Sequence, residues 1–124
     1  MHFISIIEKV TKDFIETFNN RDFDKLALFL ATNFYIESEN IAKMYPESKN
    51  NKIYGVQNAI EYWQKLASAY PDFCFDNSVN TISHEGKNIL YIGKLLNGKP
   101  LHAKFTMNEY AKIEHMLVEY PESI

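Results

Sequence analysis

Apolar residues recur at steps of three and four along the first twenty positions, which is the spacing of one helix face. The stripe consists of Phe3, Ile7, Val10, Phe14 and Phe18. Asn19 and Asn20 follow it directly, and asparagine is common just beyond the last turn of a helix. The pattern therefore predicts a first helix that ends at these asparagines.

Two further stripes with helical spacing occur before Pro71. The shorter one begins at Asp22 or Asp24, either of which can cap a helix by accepting backbone N–H groups. Its apolar positions are Phe23, Leu26, Phe29 and Leu30. The longer one opens at Gly55, and Pro71 ends it because proline lacks the N–H group that a helix interior needs. Its apolar positions are Val56, Ile60, Trp63, Leu66 and Tyr70.

Between these two stripes the sequence predicts a short strand and then a long polar loop. The strand covers residues 33–37, where Phe34, Tyr35 and Ile36 form a β-prone run. The loop covers residues 38–54 and contains one proline and three lysines. We interpret it either as a mobile lid over a pocket or as an ordinary surface loop.

After Pro71 the periodicity changes to that of strands. The first long strand carries Phe73, Phe75 and Val79 at odd positions, and residues 83–88 form the turn that follows. The second strand covers residues 89–96 and leads into the pair Asn97-Gly98. This pair tolerates the positive φ of a tight turn, so it predicts that the second and third strands are paired.

The third strand alternates between apolar and polar residues, as expected where one face of a sheet is buried. Its apolar positions are Leu101, Ala103, Phe105 and Met107, and its polar positions are His102, Lys104, Thr106 and Asn108. The last strand covers residues 113–120. Helices followed by an antiparallel meander predict one α+β domain, residues 1–124, whose sheet curls around a helix and leaves a pocket.

Charge and cysteine usage narrow the range of partners. The formal net charge is -3, and no basic stripe interrupts the mixture of charges, so we expect no nucleic-acid partner. Cys74 is the one cysteine and has no partner for an internal disulfide, which is typical of a cytoplasmic protein. Its position between two phenylalanines indicates a small strand residue rather than a nucleophile. The N-terminal apolar run, residues 3–7, is too short for a signal peptide or a membrane span.

The sequence contains no motif typical of a metal site or of a nucleotide site. No pair of histidines and carboxylates has helical metal-ligand spacing, and the four glycines form no phosphate-binding loop. We therefore expect no metal and no cofactor.

Three segments resemble the nuclear-transport-factor-2-like or SnoaL-like superfamily. They are residues 14–26, the helix start at residues 55–63, and the last strand at residues 112–120. The resemblance implies a cone in which three N-terminal helices pack in the concave face of a curved, mainly antiparallel sheet. It also implies a pocket and a homodimer formed through the sheet. Members of this superfamily include isomerases, dehydratases, cyclases, accessory subunits, and binding or transport proteins.

Only one of the catalytic residues of isomerase-like members has a matching residue type in this chain. The resemblance places the general-base carboxylate at Glu37, but it places the oxyanion-stabilising tyrosine at Phe14 and the partner acid near Ala103, and neither residue can fill that role. The histidine of dehydratase-like members falls near Asn77, which cannot move a proton near neutral pH.

Glu37 and His102 are the predicted catalytic residues. Burial of Glu37 among Tyr35, Tyr54 and Trp63 near the mouth of the cone would raise its pKa towards that of a base, whereas on the solvent side of its strand it would be structural. His102 reaches either the cavity or the outer face of the sheet. His84 and His115 are interpreted as structural.

Aromatic residues are abundant, with nine Phe, eight Tyr and one Trp. They either line an apolar pocket with a few polar tips or fill the cone. The predicted substrate-binding residues are Phe14, Phe18, Tyr35, Tyr54, Tyr62, Trp63, Tyr91 and Phe105. Two hypotheses follow. The domain binds a hydrophobic or aromatic small molecule, with cofactor-independent isomerase or lyase activity through Glu37, or it is a non-catalytic dimeric binding or protein-interaction module.

Overall fold

The computed structural model describes residues 3–46, 50–76, 82–95 and 98–121. These residues form an α+β fold with four helices and a curved sheet of six strands. The helices are α1 (Phe3–Asn19), α2 (Phe23–Leu26), α3 (Glu39–Met44) and α4 (Val56–Ala69). The strands are β1 (Leu30–Ser38), β2 (Lys52–Tyr54), β3 (Ile82–Glu85), β4 (Asn88–Lys94), β5 (Pro100–Met107) and β6 (Ile113–Glu119).

The strands are ordered β2-β1-β6-β5-β4-β3. Among the described strands, β1 and β6 run parallel and every other neighbouring pair is antiparallel. Helix α1 packs against β3 and β4, and α4 packs against β1 and β2. The helix-covered face is called the inner face below. The opposite face, called the outer face, carries Tyr35, Glu37, Leu90, Ile92, His102, Lys104, Thr106, His115 and Leu117, which alternate with buried residues.

The predicted polar loop at residues 38–54 contains two regular elements, which corrects the expected arrangement of three helices followed by strands. Helix α3 begins directly after β1, where the Ser38 hydroxyl accepts a hydrogen bond of 3.3 Å from the backbone N–H of Asn40. Strand β2 pairs with β1, with Tyr54 opposite Tyr35. Residues 47–49 lie outside the described part, so the hypothesis of a lid stays a prediction.

The segment after α4 also differs from the expected long strand. Phe75 forms an isolated bridge with Leu95, and Asn77 and Val79 lie outside the described residues. The strand in this region is β3, and its turn is confined to Gly86 and Lys87 rather than covering residues 83–88. Gly86 has a φ of 62°, which allows a turn this tight.

Other predicted elements are confirmed closely. Helix α1 ends at Asn19, and Gly55, with a φ of 96°, precedes α4. Strands β4 and β5 pair as the hairpin signal predicts, although Asn97 lies outside the described residues. The apolar side of β5 is buried and its polar side is not. The expected side-chain cap on α2 is wrong for Asp22, whose carboxylate instead contacts Lys25 at 3.1 Å.

Two polar residues, one at the end of α1 and one just beyond it, hold the chain that follows α4. The Asn19 side chain donates to the backbone oxygen of Phe75 and accepts from its N–H, each at 2.9 Å. Arg21 donates to the backbone oxygens of Pro71 and Phe73, also at 2.9 Å. These bonds fix the position of residues 71–75, of which Pro71, Asp72 and Phe73 line the cavity described below.

Candidate functional site

Six of the eight predicted substrate-binding rings lie in the core. Phe14, Phe18, Tyr62, Trp63, Tyr91 and Phe105 are each at most 2% exposed. They pack on one another: the Phe14 ring centroid lies 5.5 Å from that of Trp63 and 5.7 Å from that of Phe105. A small pocket between α4 and the inner face has a volume of about 10 Å³, the room of one water molecule. In the described part of the core these six rings therefore pack closely on one another, and their role in substrate binding stays a prediction.

Glu37 lies on the outer face, together with the other two predicted rings. Ile36 and Ser38 on either side of it are buried against the inner face, so the intervening side chain points the other way. Its Oε1 atom lies 2.9 Å from Nε2 of His115, and the His115 ring stacks on Tyr35 with centroids 4.4 Å apart. Tyr54 stacks on the other side of Tyr35 at 5.4 Å. Tyr35 therefore lies on the same face as Glu37, whereas Trp63 lies in the core and not beside it.

His102 is also on the outer face, exposed, opposite Ile92 on β4 and Glu119 on β6. Strand β6 separates it from β1, so His102 is two strands, roughly 10 Å, from Glu37. The structure does not bring the two predicted catalytic residues together. It pairs Glu37 with His115, a histidine that the sequence indicated only as structural.

A partly open cavity of about 320 Å³, called the mouth cavity, is lined by both polar and apolar residues. It lies between the end of α3, the end of α4 and the chain before β5. Its lining residues are Asn40, Lys43, Ala69, Tyr70, Pro71, Asp72, Phe73, Leu95, Lys99 and Tyr120. This volume is near the lower end of the range for small-molecule sites, and such sites combine apolar walls with a few polar groups.

A hydrogen bond between two lining residues, Asn40 and Tyr120, forms part of the wall of the mouth cavity, and Ser38 and Tyr62 line the smaller pocket behind Tyr120. Asn40 Nδ2 donates to the Tyr120 hydroxyl at 2.6 Å. Burial raises the pKa of Tyr62 to about 12, and a hydrogen bond with Ser38 opposes that shift. Burial also raises the pKa of Tyr120, again opposed by Ser38. Both phenols therefore remain protonated at neutral pH and can serve as hydrogen-bond donors.

Tyr120 and Phe73 separate the mouth cavity from the filled interior, because both residues border both spaces. The Lys99 ammonium lies 4.6 Å from the centroid of the Tyr120 ring, a cation–π contact that holds the ring from the cavity side. A ligand in the mouth cavity would therefore rest against an aromatic wall with a hydroxyl at its edge.

A second, more open depression of about 400 Å³ lies between α3, β2 and α4. It is lined by Ile41, Tyr45, Ile53, Tyr54, Asn58 and Glu61. Tyr54, Asn58 and Glu61 are exposed in this depression, and Asn58 Nδ2 donates to the backbone oxygen of Tyr54 at 3.1 Å.

The sequence contains one signal that would have located the inward residue of β1. Phe34 and Ile36 are apolar and alternate, which predicts that Ser38, and not Glu37, continues the inner face. The contact between Asn40 and Tyr120 has no such signal, because the two residues are 80 positions apart.

Two other features are absent from the residues that the structure describes. No group of three or more His, Cys, Asp or Glu side chains there is arranged to hold a metal ion. None of the described helices is both long and apolar enough to cross a membrane.

The sequence matches no protein-family model and no curated protein. Solved structures, in contrast, share its fold over nearly the whole chain. A SnoaL-like protein of unknown function from Burkholderia thailandensis has a TM-score of 0.82 at 15% identity, covering 98% of this chain and 100% of that one. An NTF2-like protein of unknown function from Cytophaga hutchinsonii has a TM-score of 0.66 at 17% identity, covering 93% and 89% of the two chains.

A third similar structure holds a small molecule. TerC, co-crystallised with polyporic acid, has a TM-score of 0.73 at 12% identity, covering 94% of this chain and 92% of that one. Candidate polyketide cyclases and a candidate ketosteroid isomerase also share the fold. The chain therefore has the NTF2-like, SnoaL-like fold, and at these identities the likeness concerns the fold alone.

Proposed function

We propose that this protein binds a small hydrophobic or aromatic molecule in the mouth cavity. One observation carries the proposal: apolar walls and fixed polar groups meet at this cavity of about 320 Å³, whereas the pocket between α4 and the inner face has only about 10 Å³. Tyr70, Phe73 and Leu95 provide the apolar surface, and the Asn40–Tyr120 pair provides hydrogen bonds of fixed direction. The small molecule bound by TerC, a protein of the same fold, supports the same class of function.

A pair of tryptophan variants tests this proposal. Ala69 lines the mouth cavity at the end of α4, and an indole at this position would occupy much of its volume. Ser68 is the preceding residue, is exposed, and does not line the cavity, so Ser68→Trp is the matched control. With naphthalene-based probes in titration calorimetry, we expect Ala69→Trp to abolish binding and Ser68→Trp to retain it. Equal binding by both variants would overturn the proposal.

Catalysis through Glu37 is the second candidate, and the contact between Glu37 and His115 favours it, because a carboxylate that holds an imidazole is a common acid–base arrangement. This candidate needs a substrate on the outer face beside Tyr35 and Tyr54, since Glu37 does not face the mouth cavity. His102 would belong to a different part of that face. A screen of enolisable substrates that compares the wild type with Glu37→Gln tests this candidate. Equal turnover by the two proteins would contradict catalysis through Glu37.

We also propose that two copies pair through the outer face. The described helices cover the inner face, and the outer face keeps the half-buried Tyr35, Leu90 and Leu117 and the exposed Ile92. A sheet face with this much apolar surface is typical of an interaction surface. Such a dimer would close the face to substrates, so the dimer and catalysis on the outer face exclude one another.

A further inference from the structure

We infer that the ligand of the mouth cavity presents an oxygen that accepts a hydrogen bond from Tyr120, as the carbonyl of an aryl ketone does. The inference rests on the proposed function, since it names the polar group of the molecule that the same cavity binds. The reason lies in the hydrogen bonds of a buried hydroxyl cluster. This cluster consists of Ser38, Tyr62 and Tyr120, and Asn40 donates to two of its members.

The innermost member of the hydroxyl cluster is Tyr62, which is 1% exposed and does not line the mouth cavity. Its hydroxyl makes a hydrogen bond with Ser38. A buried phenol whose proton finds no acceptor loses its hydrogen bond to water without replacement, which is costly. Tyr62 therefore donates its proton to the Ser38 oxygen.

Ser38, which is 3% exposed, makes hydrogen bonds with both phenols of the cluster. Its oxygen also accepts the backbone N–H of Asn40 at 3.3 Å. A hydroxyl oxygen has two lone pairs, and the bonds from Tyr62 and Asn40 use both of them. Ser38 therefore donates its own proton to Tyr120.

The Tyr120 oxygen accepts from Ser38 and from Asn40 Nδ2, the latter at 2.6 Å, so its lone pairs are also used. Glu39 acts on Tyr120 through its charge and not through a hydrogen bond. The Tyr120 proton therefore has no acceptor within the cluster. Because Tyr120 and Asn40 both line the mouth cavity, a ligand oxygen there can accept this proton and the second N–H of the Asn40 amide.

The rest of the ligand is apolar and small. Tyr70, Phe73 and Leu95 provide an apolar surface on the other side of the cavity wall. A volume of about 320 Å³ limits the molecule to one or two rings. An aromatic ring system that carries one carbonyl group has both properties.

Acetylnaphthalene and isopropenylnaphthalene test the inference in titration calorimetry. The two probes have nearly the same shape, but only the first has an oxygen acceptor. Both are uncharged, so neither forms an ion pair with the charged side chains at the cavity. We expect Tyr120→Phe, which removes one hydroxyl and keeps the ring, to weaken acetylnaphthalene binding about fivefold and to leave isopropenylnaphthalene binding unchanged. Tyr110→Phe is the matched control, since Tyr110 is 75% exposed and does not line the cavity, and it should bind both probes as the wild type does.

Tyr62→Phe tests the direction of the hydrogen bonds. Without the Tyr62 proton, one lone pair of Ser38 can accept from Tyr120, so the Tyr120 proton is no longer directed only to the cavity. We expect this variant to weaken acetylnaphthalene binding about twofold and to leave isopropenylnaphthalene binding unchanged. A purely structural effect of either substitution would weaken the binding of both probes by the same factor.

The outcomes separate this inference from the proposed function. If Ala69→Trp blocks both probes but Tyr120→Phe changes their affinities by the same factor, the inference is overturned and the proposed function stands. The same holds if Tyr62→Phe leaves acetylnaphthalene binding unchanged. Binding that Ala69→Trp does not affect, or no binding of either probe, contradicts both.

Discussion

The carboxylate of Glu37 and the imidazole of His115 are 2.9 Å apart, on neighbouring parallel strands and on the outer face of the sheet. Their side chains are 30% and 15% exposed, and Tyr35 stacks on the His115 ring. This relationship accounts for a half-buried charged residue near the end of β1, because a half-buried carboxylate needs a hydrogen-bond partner. Because Glu37 lies on the outer face, its carboxylate does not point into the cone, where a general base would contact a ligand.

Loss of the Glu37 charge should therefore affect stability and not ligand binding. We expect Glu37→Gln to lower the free energy of unfolding by about 0.5 to 1 kcal/mol, since the charge-assisted hydrogen bond to His115 becomes a neutral one. Urea denaturation measures this, with Glu109→Gln on the exposed β5–β6 turn as the control. Probe binding that Glu37→Gln abolishes without a stability change would show instead that Glu37 contacts the ligand.

Asn19 should be important for stability although it is only half buried. Its two hydrogen bonds to Phe75 hold the segment that lines the mouth cavity. We expect Asn19→Ala to lower the free energy of unfolding by about 1 to 3 kcal/mol and to weaken probe binding. The neighbouring Asn20 is exposed, so Asn20→Ala is the control and should change neither quantity. Equal effects of the two substitutions would disprove this role.

Ionisation of the Tyr62 hydroxyl should lower the free energy of unfolding at alkaline pH. Burial raises its pKa from the ordinary value of 10.0 to about 12 in the folded protein, so the unfolded chain loses this proton first as the pH rises. The stabilisation is complete below pH 10 and is lost between about pH 10 and 12, by roughly 3 kcal/mol for this group. Denaturation at several alkaline pH values should show a shallower decline for Tyr62→Phe. Parallel curves for the two proteins would contradict the assignment.

If two copies pair through the outer face, a substitution that adds one charge to that face should separate the subunits. Ile92 is 55% exposed at the centre of β4, and an ammonium group there would be buried without a partner in a sheet-to-sheet interface. We expect analytical ultracentrifugation to show a dimer for the wild type and a monomer for Ile92→Lys. Tyr110→Lys, on the turn before β6, should remain dimeric. A monomeric wild type would reject the dimer.

The sequence predicted those parts of the fold that depend on local patterns. The alternation in β5, the helical stripe of α1 and the glycine before α4 are each visible within a few residues, because side-chain periodicity follows directly from backbone geometry. Strand β2 was missed, since three residues of ordinary composition become a strand only by pairing with β1.

The candidate site could not be predicted in the same way. It is formed by Asn40, residues 69–73, Lys99 and Tyr120, which the fold brings together from four distant parts of the chain. The predicted rings are aromatic for reasons of packing volume, and their spacing does not distinguish a filled cone from a lined one.

Chemical-shift mapping of acetylnaphthalene on the isotope-labelled protein tests the central claim, ligand binding in the mouth cavity, most directly. The account predicts that the backbone amide signals of Asn40, Lys43, Tyr70 and Lys99 shift with a common dissociation constant, while those of Tyr35, Glu37 and His115 do not. Shifts confined to the outer face would contradict the account, and would place the ligand beside the Glu37–His115 pair.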